Sequence, residues 1–240
     1  MLSAVPVLRP ERPRVHAFPP SAWPFVLSLA LALGALALLL LLDVISFAYE
    51  RLGLGERSAL LLLAASLLGG TLNVPVWRLA GERVVTTRVV SAFGVRYLVP
   101  VVREQRGTLV AINVGGAVIP SAFSLWVLVR TDAWWQALVA ALALTIVVHR
   151  VARPVPGLGI AVPALVPPLF AALLAVALAG SKAAPVAYAA GTFGTLLGAD
   201  LTNLGRLRGL GAPVASIGGA GTFDAVFLSG VMAVTLAALL

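Results

Sequence analysis

The chain has 240 residues, 60% hydrophobic and 11% charged, with a net charge of +8. Soluble domains carry about 25% charged residues, and a soluble fold of this length could not bury so much apolar surface, because the buried fraction rises only slowly with size. Composition therefore excludes a soluble globular protein and points to a lipid bilayer as solvent and partner.

The mean hydropathy of +1.04 agrees. The basic residues lie between apolar runs and not on one polar domain, so nucleic acid is not an expected partner. There is no cysteine, which excludes disulfides and thiolate metal sites. No metal site and no cofactor is expected.

Residues 1–22 read as a polar cytoplasmic tail, and residues 23–240 as a single transmembrane domain. The first apolar run, Trp23–Leu42, exceeds a signal-peptide core of about 7–15 residues. Asp43, Phe47, Tyr49 and Glu50 follow it in place of a small-residue cleavage site. It is predicted to be a retained span. Further spans are predicted at Ala59–Val76, Leu109–Val129, Ala133–Val148, Ile160–Ala179, Ala184–Leu204 and Pro213–Leu240. The expected fold is thus an all-α polytopic membrane protein with about seven transmembrane helices, of which spans two and four fall short of the roughly 20 residues a crossing needs.

Charge placement orients the set. With the N-terminus inside, only Arg51, Arg57, Arg130 and Lys182 fall outside, and the other 13 of the 17 basic residues face the cytoplasm. Short basic loops translocate poorly, so this asymmetry supports the order. It predicts a prokaryotic cytoplasmic (inner) membrane location with the C-terminus outside. Trp134 and Trp135 begin span four at the outer boundary, where amphipathic rings settle.

The largest polar segment, 80–107, is a cytoplasmic insert rich in β-branched residues around Phe93-Gly94. It reads as a small β-hairpin; the alternative is an irregular loop lying on anionic headgroups through its arginines.

Two patterns recur in the same order. Leu67–Asn73 (LLGGTLN) resembles Leu196–Asn203 (LLGADLTN), and Ile112–Phe123 (INVGGAVIPSAF) resembles Ser216–Phe227 (SIGGAGTFDAVF). A parallel repeat of three spans, a linker span and three spans would explain this; chance similarity of glycine-rich membrane helices is the alternative.

Three stretches carry enough Gly and Pro to break helices: Asn113–Pro120, Arg153–Pro168 and Gly211–Gly221. Irregular backbone at membrane depth must be buried in protein or line a cavity. All three follow cytoplasmic segments, which suggests a shared inward-facing vestibule. Proline kinks in packed helices are the plainer reading.

Asp200 and Asp224 are the acidic residues inside predicted spans, and an intramembrane carboxylate is costly enough to mark a functional site. They lie level only if the last helix starts late, near Thr222, a good N-cap. Asn203 falls three residues from Asp200, on its face, and Asn73 and Asn113 hold matching places in the first half. The expected binding set is Asp200, Asp224, Asn203, Asn73, Asn113 and Thr222. An anion at Asp224 is favoured by a helix N-terminus, while Asp200, facing it, holds its proton more tightly. The structural alternative is that Asp224 caps its helix and Asp200 bonds to backbone. His149, beside Arg150 and Arg153, reads as interfacial.

The segments INVGGAVIPSAFSL, HRVARPVPGLGIAVPALVPP, GTFGTLLGADLTNL and LGAPVASIGGAGTFDAVFLSG resemble a prokaryotic membrane family catalogued as a domain of unknown function, number sixteen-fourteen. The likeness runs from about Leu67 onward and implies no activity. A weaker likeness, to presenilin-type intramembrane aspartyl proteases, implies catalytic roles for Asp200 and Asp224. It departs from that pattern in placing two extra residues between Gly221 and Asp224, Ala199 before Asp200, and Pro163–Leu165 ahead of both acids.

Three functions are expected to compete. The first is a carrier of a small solute coupled to a proton or cation, with Asp200 and Asp224 as ion ligands. The second is an aspartyl protease in which one acid activates water and the other protonates the scissile group. The third is a non-catalytic scaffold whose hairpin binds a soluble partner.

Overall fold

The computed structural model describes residues 23–79, 83–92, 95–104, 107–155, 159–207, 214–219 and 225–240. Contacts divide the chain after Asp43, and Val44–Leu240 forms one compact unit. Helix α1 (Trp23–Arg51) precedes a Gly53 turn at φ +82° and α2 (Glu56–Gly70). The pieces Leu41–Arg51 and Glu56–Gly70 meet at a bend of 113°.

The chain then leaves the helical regime. Strand β1 (Asn73–Arg78) pairs antiparallel with β4 (Leu109–Asn113), and β4 pairs in parallel with β7 (Val214–Ile217), giving the order β1-β4-β7. Between β1 and β4, strands β2 (Arg83–Ala92) and β3 (Val95–Glu104) form a hairpin sheet of their own, in register from Arg83↔Glu104 to Ala92↔Val95. The hairpin reading of this segment holds; its Phe93-Gly94 turn lies outside the described residues. A β-branched, aromatic-bearing run prefers the pleated surface to a helix.

From β4 the backbone passes through a π-helical turn (Val114–Val118) into α3 (Ile119–Thr131), then α4 (Trp134–Val151). Two three-residue strands, β5 (Arg153–Val155) and β6 (Gly159–Ala161), pair antiparallel before α5 (Val166–Ala179). Gly180 at φ +51° turns the chain into a short 3-10 segment and α6 (Ala183–Thr195), which packs back against α5. Helix α6 ends in a second π turn (Leu196–Asp200) and a 3-10 stretch (Leu201–Leu207). After β7, the last helix is α7 (Ala225–Leu239). The core is the small-residue bundle of α4, α5, α6 and α7, centred on Ala140, Leu144, Ala171, Ala187, Ala190 and Ala233.

The seven-span expectation is corrected. Among the described residues, three helical runs are long and apolar enough to cross a membrane: Val114–Thr131, Trp134–Val151 and Val166–Arg206. The bent pair around Gly53 makes up to four. The apolar windows were real, but not all are helix. Ala59–Val76 divides into α2 and β1, Leu109–Val129 begins as β4, Ile160–Ala179 begins as β6, and Pro213–Leu240 contains β7 ahead of α7. Helix α7, with 15 residues, reaches only about 23 Å at about 1.5 Å per residue, short of a roughly 30 Å hydrocarbon layer.

The three-one-three repeat falls with the count. Leu67–Asn73 ends a helix and enters a strand, while Leu196–Asn203 is a π turn running into 3-10 helix.

Candidate functional site

At one end of the β1-β4-β7 sheet, three polar side chains tie the strands together. Asn73 and Asn113 are the terminal pair of β1 and β4. Asn113 Nδ2 donates to Gly70 O at 2.7 Å and to Asn73 Oδ1 at 3.1 Å. Asn113 Oδ1 accepts from Gly116 N at 2.8 Å, capping the π turn that leads into α3. Asn73 Oδ1 also accepts from the Ser216 hydroxyl in β7. Asn113 is 3% exposed. One amide thus satisfies the end of α2, the π turn before α3 and a neighbouring strand, and the buried Gly116 N–H would otherwise lack a partner.

The glycines make this closeness possible. Gly115 packs on the last turn of α2, where an added Cβ would meet the backbone of Ser66 and Gly70. On β7, Gly218 is left-handed at φ +76° and packs against Ala117, and a Cβ on Gly219 would stand 2.7 Å from Asn113 Cγ.

Asp200 closes the second turn. It ends the π stretch of α6, and its Oδ2 accepts from Gly218 N at 2.8 Å. The segment Ser216–Gly219 therefore forms a common wall, with Ser216 bonded to Asn73, Gly219 packed on Asn113 and Gly218 bonded to Asp200. Asp200 is half-buried, not sealed in lipid as its position in an apolar run suggested. Among the residues whose burial is described, no Asp, Glu, Lys or Arg side chain is buried. No group of three His, Cys, Asp or Glu residues there could hold a metal ion.

The expected residues divide accordingly. Asn73, Asn113 and Asp200 converge on one segment. Asn203 does not join them. It is fully buried, with Nδ2 donating to Gly198 O at 2.7 Å and Ala199 O at 3.1 Å, and its Oδ1 has no partner. Its amide hydrogens are spent on those two carbonyls of the π turn, so it serves the local winding and not the Ser216–Gly219 wall. Asp224 and Thr222 lie outside the described residues.

His149 Nδ1 lies 2.8 Å from Thr202 Oγ1. Thr202 gives its own proton to Gly198 O, so His149 donates in this pair and braces the turn that carries Asp200. Ser216 escaped the sequence reading. A polar residue just before a Gly-Gly step, as in Asn113-Val114-Gly115-Gly116, was the available signal.

No curated protein and no solved structure matches the chain. The likeness to presenilin-type proteases thus gains no homologue in either comparison. The chain is a multi-pass membrane protein, and since the family described as "Protein of unknown function (DUF1614)" matches residues 67–236, well over half of the length, it belongs to that family.

Proposed function

We propose that this protein carries a small solute or ion across the cytoplasmic membrane, and that Asp200 is its coupling group, with Asn73, Asn113 and Ser216 as the adjoining neutral wall. The supporting observation is the bond from Gly218 N to Asp200 Oδ2. It places a carboxylate where two interrupted stretches of chain, the end of α6 and the end of β7, approach each other. Its half-buried position leaves it within reach of a cation or proton. Broken helices around an ionisable group are the usual build of a transport site. Asp224, eight residues from Ser216 in sequence, is assigned to the same site. The N-terminus is assigned to the cytoplasmic side.

The test uses purified protein in vesicles loaded with a pH- or cation-reporting dye, given inward gradients of H+, Na+ or K+. Wild-type vesicles dissipate one gradient faster than empty vesicles, and Asp200→Asn and Asp224→Asn lose that excess while eluting as folded protein. Undiminished flux in Asp200→Asn would refute the assignment.

A further inference from the structure

The face of α6 that ends at Asp200 is unusual for a helix packed in an apolar bundle. Tyr188, Thr192 and Thr195 follow each other at spacings of four and three, and all three are buried. In a regular helix Asp200 would lie about 120° around from Tyr188, at about 100° per residue. The π turn Leu196–Asp200 adds one residue to its turn and brings Asp200 back to within about 20° of that face.

The contacts opposite agree. Gly230 of α7 faces both Tyr188 and Thr192, since a Cβ there would stand 3.1 Å from Tyr188 Cε2 and 3.0 Å from Thr192 Oγ1. Thr195 donates to Ser229 at 3.2 Å. Val226 packs with Leu196, and Gly218 bonds to Asp200. One polar lane therefore runs about 18 Å along α6 under α7, at about 1.5 Å per residue.

Its hydroxyls are not all satisfied. Thr192 Oγ1 is buried with no hydrogen-bond partner, and so is Ser124 Oγ on the neighbouring α3. Tyr49 lies at the far end of the lane, its ring 6.4 Å from that of Tyr188. The Tyr49 and Tyr188 hydroxyls face each other at the edge of hydrogen-bond geometry. Orphaned hydroxyls in one bundle are the sign of bound water, because buried polar groups in native proteins find partners.

We propose that ordered water completes this lane, joining Tyr49, Thr192 and the Thr195–Ser229 pair to Asp200, and that it conducts protons. The proposal rests on the transport reading of Asp200 and names its coupled ion as H+. Each oxygen accepts a proton on a lone pair as it releases its own to the next. One proton leaves the water at the Tyr49 end, only O–H bonds form and break, and the Asp200 carboxylate ends as a neutral acid. Its bond from Gly218 N then becomes an ordinary one, which loosens the end of β7.

Two measurements test this on the full-length protein. In vesicles carrying a pH-reporting dye under an imposed pH gradient, Thr192→Val slows gradient collapse at least tenfold, and Thr192→Ser restores most of the rate. In radiolytic hydroxyl labelling, Tyr49 and Tyr188 react faster than buried side chains without nearby water, and Thr192→Val reduces that labelling. If Asp200→Asn blocks collapse while Thr192→Val conducts like wild type, the lane is overturned and the Asp200 site stands. If wild type conducts no protons, the lane falls, and the Asp200 site stands if Asp200→Asn abolishes a Na+ or K+ flux; if Asp200→Asn conducts fully, the site reading falls and the lane falls with it. Absence of labelling at both tyrosines overturns the lane whatever the flux.

Discussion

Replacing Asn113 by alanine removes three hydrogen bonds at once. The cap on Gly116 N, at 2.8 Å, contributes about 1 kcal/mol, as helix caps do. The bond to Gly70 O, at 2.7 Å, leaves a partly buried carbonyl unpaired, for about another 1 kcal/mol. The bond to Asn73 adds about 0.5–1 kcal/mol, since Asn73 is exposed and water replaces its partner. The expected loss is about 2–4 kcal/mol, read from unfolding in mixed micelles of mild detergent and dodecyl sulfate.

Asn113→Asp sharpens the test. It keeps an acceptor for Gly116 N but turns a carboxylate oxygen toward Gly70 O and Asn73 Oδ1, two acceptors. It should be at least as destabilising as alanine, and Asn73→Ala should lose only about 1 kcal/mol. If Asn113→Ala unfolds within about 0.5 kcal/mol of wild type, or Asn113→Asp matches wild type, the amide does not tie the strands together and the reasoning fails.

Further outcomes follow from the same geometry. Gly218→Ala must hold a side chain at φ +76° against Ala117, so a loss of about 3 kcal/mol or more is expected in the same unfolding assay, together with lost flux. Gly115→Ala sets a Cβ into the α2 backbone and should yield little folded protein on size-exclusion chromatography; a normal yield would contradict the close α2 contact. Asp200→Asn keeps an oxygen that can accept from Gly218 N, so thermal unfolding should change by no more than about 1 kcal/mol while flux is lost. The β1–β4 ladder already closes with Leu79 N donating to Thr108 O at 2.9 Å. Replacing residues 80–106 by a short Gly-Ser turn should therefore leave unfolding nearly unchanged; collapse of the fold would show that the hairpin supports the sheet.

Membrane residence was legible because it depends on composition, and no arrangement of so apolar a chain satisfies water. The stops were legible too. Gly and Pro at Asn113–Pro120 and Arg153–Pro168 fall where helices give way to strands and turns. The hairpin was readable from its β-branched run, since local preference and observed structure agree there.

The span count was not legible, because a hydropathy window measures apolarity and not winding. Val74, Val76, Val110 and Ile112 are as apolar in strands as they would be in helices. The place of Asn203 was not legible either, because its amide turns back on Gly198 O and Ala199 O, a local bond that residue spacing does not show. Asp200 joins the lane of Tyr188 and Thr192 only through a π turn, a one-residue change in winding that no spacing rule anticipates.

By itself the sequence determined the solvent, the places where helices end, and the polar residues too costly to be idle in fat. The tertiary structure decided which of these meet. The pairing of β4 with β7 brings Ser216 to Asn73 and Gly219 to Asn113, and the packing of α6 under α7 turns Asp200 toward Gly218. The physical reason is reach: composition and propensity act over a few residues, while Asn73 and Ser216 are 143 positions apart and meet only when three strands share one sheet.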